Sequence, residues 1–239
     1  MTTRSAAAPE SLADRAAIPL RPLALVFRLV SLAGILLGVV RITGILTPNP
    51  TWSALLYYTV LSNLLCLVWV VLLIISTVRD LRTDGPRGTS TPSARWSAAV
   101  MMAISVTMAI YLIVLVPMTF VQGNGYEPFT LTDNLIHIIT PCLLILDWLL
   151  FVPKGRVRGG DPMRWTLIPI AYLVFALVYG GFGGEFAPGV HYPYPFLDVA
   201  ALGVAGVASW IVVLAVALIA LGYVYLGLDR LLARLVARG

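Results

Sequence analysis

The chain has 239 residues, of which 59% are hydrophobic and 11% charged, with a mean hydropathy of +0.93. Soluble domains carry about 25% charged residues, so this composition excludes a soluble globular protein and points to one integral membrane bundle, each span taking about 20 residues. The net charge of +5 rests on fifteen Arg and one Lys, and their positions, more than their sum, decide what they do.

Residues 1–22 are rich in Ala, Pro and Arg and lack an apolar core of signal-peptide length, so they are read as a disordered cytoplasmic tail. Apolar runs then predict six transmembrane helices at about 23–46, 52–78, 96–120, 129–152, 165–182 and 199–228, with residues 229–239 left as a short basic cytoplasmic tail. Pro48, Asn49 and Pro50 separate the first two runs, and Gly180-Gly-Phe-Gly-Gly184 closes the fifth. The expected fold is all-α, without an internal repeat or a second domain. Of the 16 basic residues, 14 fall in the two tails and in the second and fourth loops, while Arg28 and Arg41 lie inside the first run. The positive-inside rule therefore places both termini in the cytoplasm. Basic residues so placed serve topology and anionic lipid head groups, and no nucleic acid partner is needed to account for them.

The fourth run, Leu131–Trp148, is the least ordinary. Its outer part holds Asp133, Asn134 and His137, with Pro141 one turn further on. Asp133 and His137 share a helical face. Pro141 has no amide hydrogen for the carbonyl four residues back, which is that of His137. Ionisable groups in a span usually face the bundle interior or a cavity. On the second run, Thr59, Ser62 and Asn63 form a polar stripe. Thr59 and His137 stand seven and eight residues past the expected starts of two parallel runs, about 10 Å below the outer boundary. Arg41 reaches a similar depth, and the fifth loop brings His191, Tyr192, Tyr194 and Asp198 to the same side. A polar pocket in the outer half of the bundle follows.

A threonine hydroxyl needs an adjacent base to act as a nucleophile. His137 is the one histidine within a span. Asp133 is placed to fix its tautomer, and Asn63 or backbone donors near the fifth loop to steady an oxyanion, with Asn134 in support. The chemistry implied is acyl transfer to water on a lipid ester, with Arg41 as a clamp for a substrate carboxylate and the fifth-loop residues as substrate contacts. A single membrane histidine with scattered carboxylates makes no zinc set, and no second one pairs with it for haem, so neither a metal nor a cofactor is expected.

Three stretches, Tyr57-Tyr-Thr-Val-Leu-Ser-Asn63, Asn134-Leu-Ile-His-Ile-Ile-Thr-Pro141 and Tyr192-Pro-Tyr-Pro-Phe-Leu-Asp198, resemble the androgen-induced family of six-span membrane threonine hydrolases, and its bacterial branch most closely. The resemblance runs from the second helix to the start of the sixth. It implies cleavage of fatty acid esters of hydroxy fatty acids in a bacterial plasma membrane, with the catalytic threonine on Thr59 and the catalytic histidine on His137.

Plainer readings stand beside these. Membrane threonines commonly bond to their own backbone. Arg41 has an ion pair with Asp133 or Asp198 as its structural alternative. Arg28 is expected to snorkel to the cytoplasmic surface, and Asp147 to do the same or to pair with a basic loop residue. Cys66 and Cys142 read as packing residues. A transporter using the same pocket, or a catalytically silent scaffold, are the rival functions.

Overall fold

A computed structural model describes residues 18–118 and 127–236. Among these, six helices are long and apolar enough to cross a membrane: α1 (Arg21–Thr43), α2 (Tyr58–Thr83), α3 (Ala94–Met118), α4 (Leu131–Phe151), α5 (Asp161–Gly181) and α6 (Val199–Val236). The described residues contain no strand. The protein is an all-α, multi-pass membrane bundle.

Helices α1 to α4 close a ring, each packed on the next and α4 returning to α1. Small side chains decide which helix is central. Ser97, Ala98, Ala99, Ala103 and Ser105 allow neighbouring backbones to approach α3, and every residue from Ser97 to Thr107 is buried. The sixth helix lies against α3 and against the first turn of α5, Asp161–Trp165. The body of α5, Leu167–Gly181, buries only Ala176 and Gly180, so a cleft remains between α5, α6 and α3.

Several ends differ from the sequence expectation. Trp52–Leu56 is a separate 3-10 turn, and Tyr57 is extended (φ −87°, ψ 141°), so α2 starts at Tyr58 and runs on to Thr83. Residues 229–236, expected as a tail, continue α6, held there by Asp229, whose Oδ2 accepts the Val157 N–H at 3.1 Å. The expected N-terminal tail lies outside the described residues for 1–17. Its last part is ordered, with the Ile18 N–H on the Leu150 carbonyl at 2.9 Å and α1 beginning at Arg21. That helix stops at Gly44, whose left-handed backbone (φ 58°) suits a residue without a Cβ. Cys66 is buried, whereas Cys142 is exposed on the bundle surface.

The half assigned to the cytoplasm is tied by buried charges. Arg28 does not snorkel: it is 1% exposed, and its guanidinium grips Asp147 through Nε (2.7 Å) and Nη2 (3.3 Å). Lys154 is buried as well, donating to the carbonyls of Trp148 and Val152 with Nζ 4.5 Å from the centre of the Trp148 ring. Burial lowers its pKa to about 8, against the pull of Asp229 and Asp147.

At the outer end the fifth loop folds over the bundle on Phe186, Phe196 and Leu197, which pack with Ala176 and Val207. Gly180 makes that possible, since a Cβ there would lie 2.2 Å from the His191 carbonyl oxygen and 3.1 Å from the Tyr192 ring. Gly180→Ala is expected to cost about 1–3 kcal/mol through the displaced loop. Gly181→Ala, with nothing within 4 Å of its Cβ, is the matched control. Thermal unfolding in detergent compares them, and equal stability of the two variants would mean the loop is not anchored at this contact.

Candidate active site

Prolines set the local geometry. Pro141 has no amide hydrogen, and its ring crowds the carbonyl four residues back. Helix α4 widens ahead of it into a π turn over Leu135–Ile139, where the Thr140 N–H bonds to the Leu135 carbonyl. Helix α3 does the same over Tyr111–Leu115, where the Val116 N–H bonds to the Tyr111 carbonyl. The offset is the same in both: Tyr111 and Leu135 open their π turns six residues before Pro117 and Pro141. Single π turns bulge a helix and recur at functional sites. Here they carry Tyr111 and His137, whose rings stack with centroids 4.1 Å apart and planes 9° apart.

The wider register also bears on the Ile136 carbonyl. After Leu135, the next acceptor in the i to i+5 series is Ile136, whose donor would be Pro141. Asn63 takes that place, its Nδ2 donating to the Ile136 carbonyl at 2.9 Å and to the Thr59 carbonyl at 2.7 Å. Both Asn63 amide hydrogens are thus spent, one within α2 and one on α4, and none is left for the oxyanion role expected from the sequence.

Because α2 starts at Tyr58, Thr59 is its second residue rather than two turns inside it. Thr59 Oγ1 lies 3.3 Å from His137 Nε2. On the other side of the ring, Nδ1 is 3.2 Å from the Asp133 main-chain carbonyl and 3.9 Å from its carboxylate. A carbonyl only accepts, so Nδ1 carries the hydrogen and Nε2 offers its lone pair to the Thr59 hydroxyl. Asp133 therefore holds the tautomer through its backbone, not through the carboxylate expected from the sequence. The carboxylate turns back to Thr130, which donates to Oδ2 at 2.8 Å while accepting the Asp133 N–H at 3.2 Å. This reciprocal pair caps α4.

Sequence reasoning missed Tyr111. Besides stacking on His137, its hydroxyl accepts the Phe129 N–H at 2.9 Å. Phe129 has a left-handed backbone (φ 64°), a conformation that costs a non-glycine residue about 1–3 kcal/mol. Asn134 holds its other side, donating Nδ2 to the Phe129 carbonyl at 2.9 Å. The six-residue spacing of Tyr111 to Pro117, the counterpart of the Leu135–Pro141 spacing, gains meaning only beside the π turn.

Thr59, Asp133, His137 and Tyr194 all line one cavity of about 500 Å³ at the outer end, with Tyr57, Tyr111 and the fifth-loop residues Phe186 and Pro195 among its walls. Burial raises the Tyr194 hydroxyl to about 12, against hydrogen bonding from Thr59 and Tyr172, so it stays a protonated donor at physiological pH. The other candidates stand elsewhere. Arg41 is exposed, its Nε donating to Thr132 Oγ1 at 3.1 Å. His191 is exposed, with Nδ1 3.0 Å from the Gly184 carbonyl, and Tyr192 packs on Gly180. Asp198 caps α6, Oδ1 accepting the N–H groups of Ala200 (2.9 Å) and Ala201 (3.1 Å). No group of His, Cys, Asp and Glu among the described residues is arranged to hold a metal. Comparison with protein-family models, curated proteins and solved structures finds no match for this chain.

Proposed function

We propose that the protein is an intramembrane hydrolase of lipid esters in a bacterial plasma membrane, with Thr59 as nucleophile and His137 as its base. The observation that carries this reading is the 3.3 Å approach of Thr59 Oγ1 to His137 Nε2 at the wall of a cavity of about 500 Å³. Thr59 Oγ attacks the ester carbonyl carbon as its proton passes to Nε2. The carbonyl becomes an oxyanion facing the Tyr194 hydroxyl and the N-terminus of α2, where the helix dipole favours negative charge. The bond to the alcohol breaks, and the imidazolium returns the proton to the leaving oxygen. Water then repeats the sequence on the acyl-threonine and releases the acid. Fatty acid esters of hydroxy fatty acids are the substrate class, from the resemblance in the three stretches named above.

A fluorophosphonate probe, which captures activated hydroxyl nucleophiles, tests the assignment in membranes carrying the full chain. Wild type is expected to be labelled on Thr59, and Thr59→Ala and His137→Ala are expected to remain unlabelled at equal expression. Labelling that survives both substitutions would place the nucleophile elsewhere. A wild type that never labels would leave the cavity to a transporter or a silent scaffold.

A further inference from the structure

We infer that the cleft behind Thr59 is a separate site for the acyl chain of the ester, entered sideways from the bilayer; the inference rests on Thr59 being the nucleophile. A second cavity of about 100 Å³ lies between α3, α5 and α6. Thr59, Leu115 and Tyr194 belong to the walls of both cavities, so the reacting hydroxyl stands where the two meet.

The two compartments differ in chemistry. The larger one presents Thr51, Ser53 and Asp133. The cleft presents Ile110, Leu173, Leu214, Ala215 and Leu218. Hydroxyls that reach the cleft from α2 and α3 are already committed, Tyr58 to the Ala103 carbonyl at 3.0 Å and Thr107 to Ser62 at 2.8 Å. Tyr172 on α5 adds one further hydroxyl, beside Tyr194, and the rest is a hydrocarbon wall. Between Ile211 and Leu218 it follows α6 for about 10 Å along the membrane normal. Its α5 side reaches Ile170, which is 44% exposed on the lipid-facing surface. An ester of two fatty chains bound across Thr59 therefore divides by polarity. The acyl chain lies in the cleft, and the alcohol half, with any carboxylate it bears, lies in the larger cavity.

Size adds a constraint. Engineered apolar cavities of about 150 Å³ take a benzene, so the enclosed part of the cleft accommodates the first few methylenes beyond the carbonyl. The rest of the chain leaves through the open side among the bilayer lipids. Blocking the cleft should then separate acyl chains long enough to enter it from those that are not.

The test compares wild type and Ala215→Phe in phosphatidylcholine vesicles, using acetyl and palmitoyl esters of one alcohol. Ala215→Phe is expected to lower kcat/KM for the palmitoyl ester at least tenfold and to change the acetyl ester by less than twofold, with fluorophosphonate labelling kept. An equal loss on both esters, with labelling kept, would overturn the site. A palmitate carrying a diazirine near its carboxyl end gives a readout independent of turnover. Ultraviolet cross-linking to residues 211–218 of the wild type should saturate and be displaced by unlabelled palmitate, and cross-linking that does neither would also overturn the site. If neither ester is hydrolysed by the wild type, the hydrolase reading falls, while saturable cross-linking still reports the cleft as a chain-binding site.

Discussion

Thr59→Val is expected to abolish ester hydrolysis while the protein still inserts and folds. Valine keeps the branched shape of threonine and removes only the hydroxyl, so the wall of the cavity keeps its shape. Thr59→Ser keeps the hydroxyl and loses a methyl, and should retain measurable turnover. His137→Ala is expected to lower kcat by roughly 10²–10⁴-fold, the range of a general base. Residues that act as one unit are strongly non-additive, so Thr59→Ala combined with His137→Ala should be scarcely worse than either alone. Acidification through the imidazole titration should also reduce the rate, because a protonated Nε2 has no lone pair for the threonine proton. A Thr59→Val protein that turns over esters at the wild-type rate would make the 3.3 Å contact a structural hydrogen bond.

The six spans were legible because twenty-residue apolar runs between turn residues have few other readings in water or lipid. Their ends were not, since hydropathy does not register a backbone break such as the extended Tyr57. That break changes the chemistry as well as the boundary: it puts Thr59 at a helix N-terminus. The segment after Leu228 reads as a short basic tail, yet Asp229 is 1% exposed and anchors it. Thr59 and His137 could be paired from topology, which fixes depth. Direction around a helix is harder. Asn63 lies on the same polar stripe as Thr59 but bonds backbone on α2 and α4, and Arg41 shares the expected depth while turning to the exposed Thr132. The π turns escaped notice because a sequence read with 3.6-residue spacing contains no i to i+5 register. Pro117 and Pro141 were visible as helix breakers, but their equal offsets from Tyr111 and Leu135 acquire meaning only once the two rings are seen stacked.

Asp147→Leu is expected to destabilise the protein by about 3–5 kcal/mol, the cost of leaving a buried charge without its partner. Arg28 and Asp147 are 1% and 4% exposed, so water cannot replace the lost carboxylate. The guanidinium also donates to Thr77 Oγ1 at 2.6 Å and to the Ser90 carbonyl at 2.7 Å, which joins α1, α2, α4 and the loop before α3 through one side chain. Arg28→Leu combined with Asp147→Leu removes both charges and should recover much of the loss. It should fall short of wild type, because Thr77 keeps its bond to the Leu73 carbonyl at 2.7 Å whereas the Ser90 carbonyl loses the Arg28 donor. The network lies ten residues beyond His137 on α4, about 15 Å along the helix. Below the lowered unfolding temperature, fluorophosphonate labelling of Thr59 should therefore be unchanged in both variants. Thermal unfolding in detergent, followed alongside labelling, separates the two effects. An Asp147→Leu protein that unfolds at the wild-type temperature would show that the pair contributes little, and a stable variant that no longer labels would mean that the two ends of α4 are coupled.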